Sequence, residues 1–210
     1  MQQRSGRTKA YEHLKTAIMS DPGLVGTFIN EQQTAEELGL SRTPIREALL
    51  LLSGEQLVRL IPNRGAFVPA LTPEQVSDIL AARAMIEPWA ARETLRRGLA
   101  PVEAMRDALD HQRGLGPEVS SAAFIAADRE FHTLLIQATG NRVITQLYAA
   151  LDARHVVIGV AAIERNPASL EVVLSEHQAI VDALASDNEE AAVAAILTHL
   201  DETATRLAHH

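Results

Sequence analysis

Asp128 and His132 stand four residues apart in a segment where Phe124, Ile125, Leu135 and Ile136 recur at helical spacing. On a helix the carboxylate and the imidazole therefore share the face that turns inward. His177 sits among Val173, Leu174, Ile180 and Val181 on a second helical segment, and His199 follows Ile196 on a third. One carboxylate and three imidazoles are costly to bury unpaired. A single divalent cation would satisfy all four. With no Cys in the chain, the donor set suits zinc, nickel, manganese or iron without selecting among them. Taken singly, an inward His is more often a hydrogen-bonded core residue than a ligand. The i, i+4 pair and the two further inward His move the balance toward a metal. His13, His111 and His155 lack such neighbours and read as surface or packing residues.

A second chemistry lies near the start of the chain, in Gly39-Leu40-Ser41-Arg42-Thr43-Pro44-Ile45-Arg46-Glu47-Ala48-Leu49. A short turn separates two helical segments, and the second begins with two arginines and two hydroxyls. In a helix-turn-helix that helix start enters the major groove of DNA. Its free N–H groups favour a phosphate, and an arginine there can fork onto guanine. Arg42 and Arg46, four apart, share a face. Ser41 and Thr43 are placed to hold phosphates, and Arg64 falls at the tip of a hairpin. Arg4, Arg7 and Lys9, read as preceding the first helix, would form a basic arm. Two arginines on a helix are also simply what a solvated face looks like, so spacing alone leaves DNA binding open.

The elements that must position these residues follow from periodicity and punctuation. A first helix spans 8–20. A second runs from the N-cap Asn30 to Leu38 and is closed by Gly39. A third, capped by Ser41 or Thr43 with Pro44 in its first turn, runs to about Gly54. The β-prone runs Val58–Ile61 and Ala66–Val68 flank the turn Pro62-Asn63-Arg64-Gly65. Thr72-Pro73 marks a boundary. Beyond it helices are expected at 73–98, 101–112, 118–139, 141–164, 168–185 and 188–208. Their breaks fall at Gly98, Gly114 to Pro117, Gly140-Asn141, Asn166-Pro167 and Ser186 to Asn188. The fold class is mainly α: a winged helix-turn-helix over 1–70 and an antiparallel six-helix bundle over 71–210. Hydrophobic residues make up 47% of the 210 and aromatics 3%, a composition that favours helix. The net charge of -8 is divided unevenly, +1 over 1–70 and -9 over 71–210. That asymmetry suggests two domains with different partners, only the first facing phosphates. No run of 18 apolar residues and no apolar leader in MQQRSGRTKA occur, so a soluble, cytoplasmic protein with no membrane partner is expected. The closing His209-His210 reads equally as native sequence or as the stub of a purification tag.

The run Ser41 to Leu49, with Leu57-Val58 and Asn63-Arg64-Gly65-Ala66-Phe67-Val68, closely resembles the GntR family of transcription regulators. The resemblance implies that Arg42 and Arg46 read DNA, that Thr43 contacts its backbone, and that Gly65 of the wing approaches the groove. It also implies a homodimer on a near-palindromic operator. Val25, where a Pro is common, and Thr34, in place of a usual Leu, depart from the pattern at packing positions. Residues 72–208 resemble the FCD effector domain of the FadR-type branch, in its shorter VanR-like form. Arg83, Glu87, Asp128-x-x-Phe131-His132, Gly140-Asn141, Glu176-His177 and Thr198-His199-Leu200 carry that likeness. In metal-binding members the residues matching Asp128, His132, His177 and His199 coordinate the ion.

Four protein ligands on a six-coordinate ion leave two positions that an effector carboxylate could take. Arg83, inward by its spacing with Ile79, Leu80 and Ile86, either pairs with Glu87 or clamps a second acidic group of the effector. Asn141 either caps the next helix or lines the cavity. Family members commonly sense small organic acids, so a repressor-type regulator under the control of such an effector is expected. Two other readings stand beside it: a regulator for which the ion is the signal, and a metallohydrolase using the Asp/His site. The last lacks a general base with a clear motif and leaves the N-terminal module unexplained.

Overall fold

The computed structural model describes residues 5–115, 120–165 and 169–208, with 22, 152–158, 161–162, 164–165 and 208 as backbone alone. Arg4, Pro117, Asn166, Pro167, His209, His210 and the side chain of His155 lie outside the described residues. The chain divides into two compact units, Met1–Leu71 and Thr72–His210.

The first unit opens with α1 (Gly6–Ser20), which Ser5 caps by accepting from Thr8 N–H. A 3-10 turn (Pro22–Leu24) leads to the short strand β1 (Phe28–Ile29), α2 (Glu31–Leu38) and α3 (Arg42–Gly54). Asn30 caps α2, its Oδ1 accepting from the N–H groups of Gln32 and Gln33, and Gly39 ends it with φ 64°. Ser41 occupies the N-cap position of α3, but its side chain makes no capping bond, contrary to the expectation for Ser41 or Thr43. Strands β2 (Arg59–Ile61) and β3 (Gly65–Phe67) form the wing, pairing Leu60 with Ala66. The tip turns through Asn63 and Gly65, both at positive φ. β1 adds antiparallel to the other edge of β3, Phe28 opposite Phe67, giving the order β1-β3-β2. Periodicity shows no sign of this strand. Ala10, Leu14 and Ile18 of α1 and Ile45, Ala48, Leu49 and Leu52 of α3 make the core. Thr34 is buried without cost because its hydroxyl donates to Asn30 O. This unit is a winged helix-turn-helix.

Among the described residues the second unit holds six helices: α4 (Pro73–Arg96), α5 (Val102–Gly114), α6 (Ser121–Ala138), α7 (Arg142–Arg165), α8 (Ser169–Ala185) and α9 (Glu189–Ala208). Thr72 starts α4 with a capping box, its side chain accepting from Gln75 N–H while the Gln75 side chain accepts from Thr72 N–H. α4 packs on α9, α6 and α7, and α8 on α5 and α9. Gly159 lets α7 close on α6: a Cβ there would come within 2.8 Å of the Ile125 side chain. The polar residues of interest lie in this interior. No helix among the described residues is long and apolar enough to cross a membrane.

Candidate metal centre and DNA-reading face

α6 presents Asp128 and His132 one turn apart, α8 brings His177 and α9 brings His199. All four are buried, and one potential ligand atom from each lies within 4.8 Å of the others. Two donors bound at roughly 2.0–2.2 Å to one ion stand at most about 4.4 Å apart. The set therefore needs only a small contraction to share a cation.

Each imidazole is fixed from behind. His132 Nδ1 lies 3.0 Å from Glu87 Oε2, His177 Nδ1 lies 2.8 Å from Gln112 Oε1, and His199 Nδ1 lies 2.7 Å from Glu176 Oε2. Glu87 and Glu176 are themselves held. Glu87 Oε1 accepts from Arg83 Nε and Tyr148 OH, and Glu176 accepts both terminal nitrogens of Arg206. Phe131 stacks on the His177 ring at 4.2 Å, fixing its plane. With Nδ1 engaged, Nε2 of each ring is left for another partner. Nε2 of His132 and of His177 is fully buried with no hydrogen bond, and Asp128 Oδ1 lies 3.4 Å from His177 Nε2. Buried nitrogens in that condition are rare because they forfeit hydration without return. A cation between them and Asp128 removes the penalty, so the residues fit a divalent metal. An outer partner on the far nitrogen of each histidine is also what orients metal ligands.

The electrostatics agree. Burial, reinforced by the neighbouring histidines, pushes His177 well below the ordinary histidine value. Burial also lowers His199 despite its bond to Glu176. Both rings are therefore neutral at neutral pH, as metal ligation requires. Burial pushes Asp128 up, with His199 and Arg83 opposing. Burial would push Glu87 up too, but the charges of Arg83 and His132 hold it well below the usual carboxylate range.

Arg83 is buried, with Nε 2.6 Å from Glu87 Oε1, the ion-pair alternative of the two the sequence left open. Asn141 is exposed and its Oδ1 accepts from Val143 and Ile144 N–H, so its side chain caps α7. His13 and His111 are exposed. Sequence paired Glu87 with Arg83 but not with His132, and it left Glu176 and Gln112 of the outer layer without a role. Gln112 had a signal: it continues the buried stripe Met105, Ala108, Leu109 of α5, where a polar residue calls for a partner.

In the first unit Ser41, Arg42, Thr43 and Arg46 are exposed at the start of α3. Arg64 is exposed at the wing tip, its guanidinium 4.8 Å over the Phe28 ring. Gly65 beside it takes φ 98°, which other residues rarely adopt. A groove lined by Phe28, Arg42, Arg46, Leu60 and Arg64 separates α3 from the wing. Arg7 and Lys9 do not form an arm ahead of α1. The helix begins at Gly6 and includes both, and Lys9 Nζ donates to Leu38 O at the end of α2. Sequence reasoning missed Glu31, the first residue of α2, which accepts from Arg46 Nε at 2.8 Å and Arg42 Nη2 at 3.2 Å. Burial pushes the Glu31 carboxyl up, but the bonds from Arg46 and Arg42 outweigh it and hold the group below its usual value.

Comparison with known proteins accounts for both units. Residues 7–68 match the model of bacterial regulatory proteins of the gntR family, and residues 78–202 match the FCD domain. An HTH-type transcriptional regulator from an unstable DNA locus of Streptomyces ambofaciens is 29% identical over 205 residues, covering 95% of this chain and 85% of its own. The galactonate operon transcriptional repressor of Escherichia coli (strain K12) is 26% identical over 200 residues, covering 84% and 85%. A solved GntR transcriptional regulator from Rhodococcus sp. RHA1 shares the fold, with a TM-score of 0.85 at 23% identity and 97% of each chain covered. The chain belongs to the GntR family of regulators that carry an FCD domain, and it is a DNA-binding transcription regulator rather than an enzyme.

Proposed function

We propose that the protein is a repressor-type regulator acting in the cytoplasm, whose hold on an operator is set by a small carboxylate effector bound at a divalent metal in the second unit. Residues 1–70 would read double-stranded DNA: Arg42 and Arg46 at base edges, Ser41, Thr43, Arg64 and Gly65 along the backbone and groove. Residues 71–210 would bind the effector and join two copies, so that two recognition helices face half-sites about one helical turn apart. Asp128, His132, His177 and His199 would hold the ion, of zinc, nickel, manganese or iron type. When bound, it supplies a Lewis-acid anchor for an oxygen ligand.

The observation that carries this reading is the three buried imidazoles, each tied at Nδ1 and each with Nε2 left over beside one carboxylate. The charge count points to an anion as effector. Imidazoles that ligate a metal are neutral; Asp128, Glu87 and Glu176 against Arg83 and Arg206 would then leave the assembly at -1, and a divalent ion would take it to +1. One carboxylate restores neutrality. That agrees with a relative named for a galactonate operon. An effector moves the DNA equilibrium only by its different affinity for the two states.

The test is metal analysis of the purified protein, followed by binding to duplexes from its own promoter, with and without chelator and with a panel of sugar acids. The expected result is about one ion per chain and an acid-dependent change in DNA binding that chelator abolishes. Switching by the ion alone would make the metal itself the signal. A protein that takes up no divalent ion refutes the centre.

A further inference from the structure

The two arginines at the front of α3 are not independent cations, because both give a nitrogen to the same oxygen of Glu31. Glu31 opens α2, and its side chain is only 16% exposed, against 56% for Arg42 and 61% for Arg46. The carboxylate is thus largely withdrawn from solvent while the cations it holds are not. Which nitrogens are used matters. Arg46 pairs through Nε, which leaves both terminal nitrogens for an outside partner, and such a pair can fork onto O6 and N7 of guanine. Arg42 pairs through Nη2 and keeps Nε and Nη1.

A long side chain held in one geometry before binding has less rotamer freedom to lose at the moment of contact. A carboxylate in the same groove also makes indiscriminate contact with phosphate less favourable. A duplex that offers no guanine gains little from the two arginines, a repulsive element of the kind that specificity requires.

We infer that Glu31 is a specificity-determining positioning residue: it aims Arg46 and Arg42 at base edges and suppresses their use as general phosphate contacts. The inference rests on the reading that these arginines touch DNA bases. An ordinary exposed ion pair would contribute almost nothing. What separates Glu31 from that case is one shielded oxygen shared by two cations of one face.

The test begins with selection of a preferred duplex from a randomised library by the full-length chain. Binding of that duplex, and of a scrambled duplex of equal composition, is then measured over a range of salt for the parent, Glu31→Gln, Glu31→Asp and Arg46→Ala. Glu31→Gln is expected to lower the ratio of the two affinities about tenfold, losing on the selected duplex and gaining on the scrambled one. Its salt dependence on the scrambled duplex should steepen by up to ~0.9 in log–log slope per arginine released. Glu31→Asp keeps the acidic first turn of α2 but is one methylene short of reaching both arginines. It should move the ratio the same way, which separates aiming from any effect on folding. Arg46→Ala should lose about tenfold or more on the selected duplex alone. If both Glu31 variants keep the ratio while Arg46→Ala loses it, Glu31 is a surface ion pair and the inference fails. If Arg46→Ala keeps it too, the base-reading role of Arg46 fails first and takes the inference with it.

Discussion

Each of the two candidate functional regions is organised by a carboxylate that gathers cations, and the two carboxylates live in different solvents. Glu87 is fully buried between Arg83, Tyr148 and His132. Glu31 lies at the surface between Arg42 and Arg46. In the bundle every charge removed from water must be answered by another group, so the orientation of His132 and the stability of the fold depend on the same atoms. At the start of α3 the two arginines keep their water and only Glu31 is partly shielded, so the arrangement can be lost with little cost to folding. Buried function is therefore coupled to stability, and exposed function is not.

The sharpest way to break that contrast is at Glu87. Glu87→Gln removes the carboxylate charge paired with Arg83 Nε in the bundle interior, and about 3–5 kcal/mol of unfolding free energy should be lost, read from urea unfolding of the full chain. Replacing both partners, Arg83→Met with Glu87→Leu, should restore most of that stability. The double variant would still bind metal about 10–100-fold more weakly, because His132 has lost its outer partner. If the single variant unfolds like the parent, the bundle is not organised around this pair. Glu31→Gln in the same assay should stay within about 0.5 kcal/mol.

How far each region could be read from sequence follows the same line. Helices α4 to α9 were legible because apolar residues recur at helical spacing and because Thr72-Pro73, Gly98 and Gly140 punctuate them. Inward His132, His177 and His199 were legible from their apolar neighbours. The partners of those histidines were not: Glu87 meets His132, Gln112 meets His177 and Glu176 meets His199 across helices, and periodicity carries no record of such pairings. β1 was hidden for a related reason. Two residues are too few to show alternation, and Phe28–Ile29 is a strand only because the edge of β3 is there to pair with it. Glu31 reaches Arg42 and Arg46 over 11 and 15 residues of chain, a contact set by the packing of α2 against α3. Its only mark in the sequence is an acidic residue just after the N-cap Asn30, which reads as ordinary helix chemistry.

Metal addition sharpens the comparison at the next level of effect. An ion that binds only the folded bundle, at a hundredfold excess over its dissociation constant, should stabilise the chain by about 2.7 kcal/mol. His177→Ala should abolish that gain. A thermal scan with zinc, nickel, manganese and iron, each against chelator, measures it, and no shift with any of them would leave the Nε2 atoms of His132 and His177 unexplained. Arg46→Ala is the counterpart in the first unit. It should cost roughly 1–3 kcal/mol in binding the selected duplex and nothing measurable in the same thermal scan. A drop in melting temperature there would show that the exposed face is coupled to folding after all.

The smallest effect decides a residue that belongs to neither pattern. Asn141 is exposed like the arginines, yet it sits in the bundle and its Oδ1 accepts from Val143 and Ile144 N–H at the start of α7. As a cap alone, Asn141→Ala should cost about 1 kcal/mol. Asn141→Asp should cost almost nothing, since the aspartate keeps the accepting oxygen and adds a charge that a helix N-terminus favours. The aspartate also removes the amide N–H groups and brings a negative charge, which a residue contacting a carboxylate effector could not tolerate. The two roles thus predict opposite outcomes for one substitution. Unfolding near the parent value with an unchanged response of DNA binding to sugar acids fixes Asn141 as a cap. Parent-like stability with an acid response weakened more than tenfold would place it in the effector site. The exposed capping geometry favours the first.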